Sequence, residues 1–81
     1  MTADEIEDRI DALEQERERL RAREGEADPT LEQDVERLEA IRVELDQLFD
    51  LKRRRQAAVD AGEDPDAVRP RSSGEVEGYQ Q

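Results

Sequence analysis

Four consecutive basic residues, Lys52 to Arg55, are the most concentrated chemical feature of the sequence. Adjacent cations on a helix point in several directions around its axis, so together they can bind a phosphate or an acidic partner. The alternative is that Lys52 and Arg53 pair with acids near the amino terminus, while Arg54 and Arg55 extend beyond those acids. Arg54 and Arg55 are therefore candidate partner contacts, and the pattern leaves both interpretations open.

The side chains that metal binding and catalysis usually need are largely missing. The sequence contains no histidine and no cysteine, which excludes the usual zinc ligands and thiolate chemistry. The acidic stretch from Asp60 to Asp66 lacks the spacing of a calcium-binding loop. No hydroxyl is accompanied by a base of predictable geometry. We therefore expect a protein that is not an enzyme, with no catalytic residue, no cofactor, no metal ion and no small-molecule substrate.

The negative charge is concentrated in the first part of the chain. The 81 residues carry 13 basic and 24 acidic side chains, a net charge of −11, and residues 52–81 contain equal numbers of each sign. Such charge disfavours nucleic-acid binding and adsorption to anionic membranes, since both need basic surfaces. No apolar run approaches the roughly 20 residues of a membrane-spanning helix, and the first residues do not resemble a secretion signal. We expect a soluble, cytoplasmic protein.

The first helix is predicted over residues 3–24. Thr2 and Glu5 have the spacing of a capping box, in which each side chain accepts a hydrogen bond from the backbone of the other residue. Large apolar residues then recur at the spacing of a heptad seam, interrupted at Arg17. The apolar residues of this seam are Ile6, Ile10, Leu13 and Leu20. This spacing predicts a helix with one apolar side.

The second and longer helix is predicted over residues 29–61, after a break that contains Gly25 and Pro29. Glycine suits the left-handed conformation that follows a helix, and proline suits the first position of the next one. By the same argument Gly62 is the expected terminator of the second helix. Beyond it, Pro65 is expected to open one further helical turn.

The short connection between the two helices favours antiparallel packing. If the chain folds back at residues 26–27, two positions face each other when their residue numbers add to about 53. We therefore predict an all-α fold, a coiled-coil-like antiparallel helical hairpin over residues 1–62. Residues 63–81 form a turn and an extended C-terminal tail. In that tail Val76 and Tyr79 either contact a partner protein or fold back over the open end of the hairpin.

The apolar stripe of the second helix is wider than a two-helix seam requires. A two-helix layer covers such a stripe incompletely, and so short a chain has little other apolar surface to stabilise it. A second copy stacked on the stripe would bury it in a four-helix bundle. We therefore expect a homodimer, and an unidentified protein partner is also compatible with the pattern. The candidate self-association residues are Leu31, Val35, Leu38, Ile41, Leu45, Leu48 and Phe49.

Three segments occur in an order that is specific enough for a comparison: LEAIRVELDQLFDLKRRRQAA, AGEDPDAVRP and VEGY. With them, nearly the whole chain resembles the short actinobacterial proteins grouped as domain of unknown function 2630. Phe49 stands where that family usually has tryptophan, and Glu16-Arg17 replaces what is often an acidic residue followed by histidine. The resemblance implies a small acidic helical protein and no particular activity.

These observations favour a non-enzymatic interaction or adaptor protein that self-associates through its second helix. One alternative is a regulator that binds an anionic partner, RNA or an acidic protein surface, through the basic end of that helix. Another is a structural or stress-related small protein. Binding through the basic end is expected to weaken steeply with ionic strength, because salt screens exposed charges.

Overall fold

The structure is a computed structural model, and it describes residues 1–23 and 31–71. These residues form two α-helices, α1 (Ala3–Ala22) and α2 (Leu31–Asp60), and a short 3-10 helix, Pro65–Ala67. No strand occurs among the described residues. The two α-helices pack against each other, so the predicted all-α helical hairpin is confirmed.

The start of α1 is a capping box, as the sequence predicted. The Glu5 amide donates to the Thr2 hydroxyl and the Thr2 amide donates to the Glu5 carboxylate, each at 3.2 Å. The hydrogen bond from the Thr2 amide holds the pKa of the Glu5 carboxyl below its ordinary value. α1 ends at Ala22, with Arg23 as its cap, whereas the prediction extended it to residue 24. Helix ends are often shorter than the sequence pattern because the last turn frays.

The end of α2 is a left-handed glycine, also as predicted. Gly62 has a φ of +76°, a conformation that glycine adopts without steric cost. The amides of Gly62 and Glu63 donate to the carbonyls of Val59 and Ala58 at 3.0 and 2.7 Å, which are the two bonds of a Schellman motif. The helix therefore ends sharply here. Residues 29 and 30, the predicted start of α2, lie outside the described residues.

The helical turn predicted at Pro65 is present as the 3-10 helix. The Asp64 carboxylate caps it by accepting a hydrogen bond from the Asp66 amide at 2.9 Å. The next residue after the turn, Val68, packs against the core of the hairpin. Residues 63–71, which we call the C-terminal segment, thus return to the helices.

One seam of buried apolar side chains joins the two helices. Its members are Ile6, Ile10, Leu13 and Leu20 of α1 and Ile41, Leu45, Leu48 and Leu51 of α2. Neither helix combines the length and the apolar character that crossing a membrane would need, within the part of the chain that the structure describes.

Two ion pairs flank the seam and show its register. The Arg9 guanidinium donates to Glu44 at 2.9 Å, and that of Arg37 donates to Glu16 at 2.8 Å. The residue numbers of each pair add to 53, so the predicted register and the antiparallel direction are confirmed. The hydrogen bonds from Arg9 and Arg37 hold the pKa values of Glu44 and Glu16 below their ordinary range.

Candidate functional site

The basic block lies at the mouth of the hairpin, the end at which α1 begins. Lys52 contacts Glu7 of α1, with 2.5 Å between Nζ and Oε1. Through this contact Lys52 links α2 to α1, as expected if Lys52 pairs with an acid near the amino terminus. Arg53, the next residue, is exposed.

Arg55 is buried, with only 9% of its surface exposed. Its Nη1 donates to the carbonyl oxygens of Met1 and Pro65, at 2.8 and 3.0 Å. Its Nη2 donates to Oδ1 of Asp66 at 3.0 Å. The side chain of Arg55, which extends from α2, therefore contacts both the first residue and the 3-10 helix. Arg55 is therefore held within the molecule, and its role as a partner contact stays a prediction.

Arg54 is also bound within the molecule. Its Nη1 donates to the carbonyl oxygen of Arg69 at 2.7 Å and lies 3.6 Å from Oδ2 of Asp50. Like Arg55, Arg54 has an acceptor on the C-terminal segment, and its role as a partner contact stays a prediction. The sequence argument gave α2 a single neighbour, α1, whereas the C-terminal segment supplies further carbonyl oxygens at this end of α2.

Asp50 is a buried polar residue that the sequence argument did not single out. Its residue surface is 6% exposed. Arg54 and Arg71 lie 3.6 and 3.8 Å from its carboxylate oxygens, too far for direct hydrogen bonds. Among the described residues, Oδ2 is a buried side-chain atom without a hydrogen-bond partner. The only sequence signal for this cluster was the four-residue spacing of Asp50 and Arg54, which is common on exposed helices.

The residues predicted for self-association divide into two groups. Ile41, Leu45 and Leu48 are 0%, 3% and 6% exposed because they pack against α1. These three residues belong to the core of the hairpin and are not available to a second copy. Val35 and Phe49 are 56% and 37% exposed. Leu38 is partly buried, so its exposure is intermediate between those of the two groups.

The sequence as a whole matches one family model, described as "Protein of unknown function (DUF2630)", over residues 2–81. The chain belongs to the DUF2630 family. The resemblance inferred from the sequence is thereby confirmed. No curated protein and no solved structure matches this DUF2630 protein.

The structure does not describe the side chains of three residues of the DUF2630 protein that were predicted to contact a second copy or a partner. The side chain of Leu31 and both tail residues, Val76 and Tyr79, lie outside the described residues. The described part of the chain contains no group of three acidic side chains close enough together to hold a metal ion.

A groove of about 350 Å³ borders Val35 on the exposed side of α2. Both helices contribute to it, because arginines of α1 face the side chains of α2 across it. Its lining residues are Arg17, Arg21, Val35, Leu38, Glu39 and Arg42. The lining combines the apolar side chains of Val35 and Leu38 with four charged ones, so the groove can accept an apolar side chain between charged neighbours.

Proposed function

We propose that this DUF2630 protein is a small helical interaction module that forms a homodimer through the exposed side of α2. The observation that supports this proposal is the placement of Val35 and Phe49. They are 56% and 37% exposed, and they lie fourteen residues apart on the same helix. Fourteen residues are two heptads, so both side chains lie on one side of α2. Large apolar side chains aligned on an exposed helix face are typical of a protein contact.

An antiparallel contact between two copies of α2 suits this spacing. A two-fold axis near Arg42, midway between the two residues, brings Phe49 of each copy onto Val35 of the other. The two contacts would lie about 21 Å apart along the helix at 1.5 Å per residue. The groove beside Val35 gives the phenyl ring a place to insert. Arg17 and Arg21 on its rim are suited to stacking on an aromatic face.

The charges at the axis are neutralised within each copy. Arg42 donates to Glu39 at 2.7 Å and to Asp46 at 2.9 Å along its own helix. Each copy therefore presents an acid, a base and an acid in line. A two-fold axis near Arg42 sets the two arginines opposite each other and Glu39 of one copy beside Asp46 of the other, so the ion pairs within each copy have to offset the repulsion between like charges.

The proposal is tested by measuring the molar mass in solution by light scattering over a range of protein concentrations. We expect the wild-type protein to reach twice the mass of one chain, and Phe49→Lys to remain monomeric because the arginines that line the groove repel a second cation. Val59→Lys is the matched control: Val59 is 52% exposed on the same helix but lies beyond the proposed contact. A monomeric wild-type protein, or a Phe49→Lys protein that still dimerises, would contradict the proposal.

The alternative of a regulator that binds RNA or an acidic protein through Arg54 and Arg55 has less support. Both guanidiniums would first have to leave their contacts with Arg69, Pro65 and Met1. Lys52 and Arg53 are the exposed members of the block, and Lys52 is paired with Glu7, so the block offers little unpaired positive charge to a polyanion. No observation favours a structural or stress-related role over an interaction module.

A further inference from the structure

Arg55 is the point at which distant parts of the chain are joined by one side chain. Met1, which precedes α1, is 54 residues away in sequence, and Pro65 and Asp66 are 10 and 11 residues away. We propose that Arg55 is a latch that makes the start of α1 and the C-terminal segment open and close together. The latch does not depend on the proposed dimer, because its contacts lie within one chain.

The first argument for coupling is the burial of the guanidinium. The side chain of Arg55 is 10% exposed, whereas its carboxylate partner Asp66 is 67% exposed. A buried charged group is stabilised only while its hydrogen-bond donors remain paired. If the C-terminal segment leaves, Arg55 loses Pro65 and Asp66, and of its acceptors among the described residues the carbonyl of Met1 remains. The remaining contact is then weaker, because the guanidinium becomes hydrated and is no longer held in place.

The second argument is that the apolar contacts at the mouth act in the same direction. Ile6 and Leu51 are each 1% exposed, and Val68 of the C-terminal segment packs against the same core. Ala3 and Pro65 both line one cleft, together with Arg55. Removal of the C-terminal segment would therefore also hydrate apolar surface beside the start of α1, which destabilises that turn.

The consequence is a link between the two ends of the described structure. A partner that binds the C-terminal segment in its released form would also release the start of α1. By thermodynamic reciprocity, a partner that binds the released start of α1 would loosen the C-terminal segment to the same extent. The latch thus supplies a two-state element that either segment can control.

The proposal is tested by amide hydrogen exchange at single residues, at a concentration where the protein is monomeric. The Ile6 amide donates to the carbonyl of Thr2, and the Val68 amide donates to that of Pro65, at 3.1 and 3.2 Å, so these amides report on the two segments. We expect Arg55→Gln to accelerate exchange at both amides by a similar factor of at least about ten, equivalent to about 1.4 kcal/mol. The Leu45 amide in the middle of α2 should not change.

The matched control is Arg53→Gln, which removes an exposed cation two residues away and should accelerate neither amide. Acceleration at Val68 alone, at Ile6 alone or at neither would overturn the latch. An equal acceleration at Leu45 would overturn it as well, since Arg55 would then stabilise the whole hairpin rather than its mouth.

A second variant keeps the test decisive if Arg55→Gln does not fold. Asp66→Asn removes the only carboxylate that the described contacts give to Arg55, at an exposed position, and leaves the guanidinium in place. We expect a smaller acceleration that is again equal at Ile6 and Val68. Unequal factors in this variant would show that the segments open independently.

Discussion

A comparison of two apolar positions on α2 tests which side of the helix forms the core. Ile41 is 0% exposed and Val35 is 56% exposed. Ile41→Val removes one buried methylene, worth about 0.8 kcal/mol in transfer free energy. With the cavity that it leaves, the expected loss is about 0.5–1.5 kcal/mol. For a chain of this length each kcal/mol corresponds to a fall of about 4–8 °C in Tm. Val35→Ala should change the free energy of unfolding by less than about 0.5 kcal/mol, because the side chain is mostly hydrated and alanine favours the helix.

The measurement is urea denaturation followed by circular dichroism, at a dilution where the protein is monomeric. The slope of free energy against urea concentration should be the same for wild type and both variants, so that a shift in midpoint reports a change in stability alone. If Val35→Ala costs as much as Ile41→Val under these conditions, α2 packs on α1 with a different side and the assignment of the core is wrong. At concentrations that favour the proposed dimer, the cost of Val35→Ala should rise above its value in the monomer.

Three further predictions concern the helix ends and the ion pairs. Thr2→Ala removes one half of the capping box and should cost about 0.5–2 kcal/mol in a thermal melt, whereas Thr2→Ser should be nearly neutral. Gly62→Ala should cost about 1–2 kcal/mol in urea denaturation, because its φ of +76° is strained for alanine although no atom lies within 4 Å of an added Cβ. The pKa values of Glu16 and Glu44 are lowered by Arg37 and Arg9, so below the ordinary value of 4.5 the unfolded chain binds more protons than the folded one. Stability from these pairs should therefore be complete above pH 4.5 and fall as the pH decreases through the folded-state values, a loss that circular dichroism would follow and that a flat pH profile would contradict.

The features that the sequence predicted correctly are those with a local cause. A capping box at Thr2, a left-handed glycine at position 62 and a capped turn at Pro65 each depend on residues within one turn of the chain. The register of the seam is not local, but a heptad spacing and a short connection leave few alternatives. The ion pairs Arg9–Glu44 and Glu16–Arg37 are the pairs that this register places opposite each other.

The features that the sequence did not predict depend on contacts between distant segments. Arginine is usually exposed, so pattern reasoning placed Arg54 and Arg55 on the surface, where a partner could reach them. Arg55 is buried and Arg54 is half-buried because the C-terminal segment returns to the helices, and the carbonyl oxygens of that segment carry no signal in the sequence. The apolar stripe of α2 divides into a buried and an exposed part. Ile41, Leu45 and Leu48 are used within the hairpin, and the excess width comes from Val35 and Phe49.

The arrangement of contacts along the hairpin also determines how it would respond to mechanical force. Force applied between Met1 and Arg71 acts on one end of the hairpin, across the seam rather than along it. The contacts would then break one after another from the mouth, as in a zipper, and each would bear the load alone. In that order they are Arg55–Met1, Lys52–Glu7, Arg9–Glu44, Glu16–Arg37 and Arg23–Asp34. The hairpin should therefore yield at a lower force in this direction than when pulled along the helix axes, where all five contacts share the load.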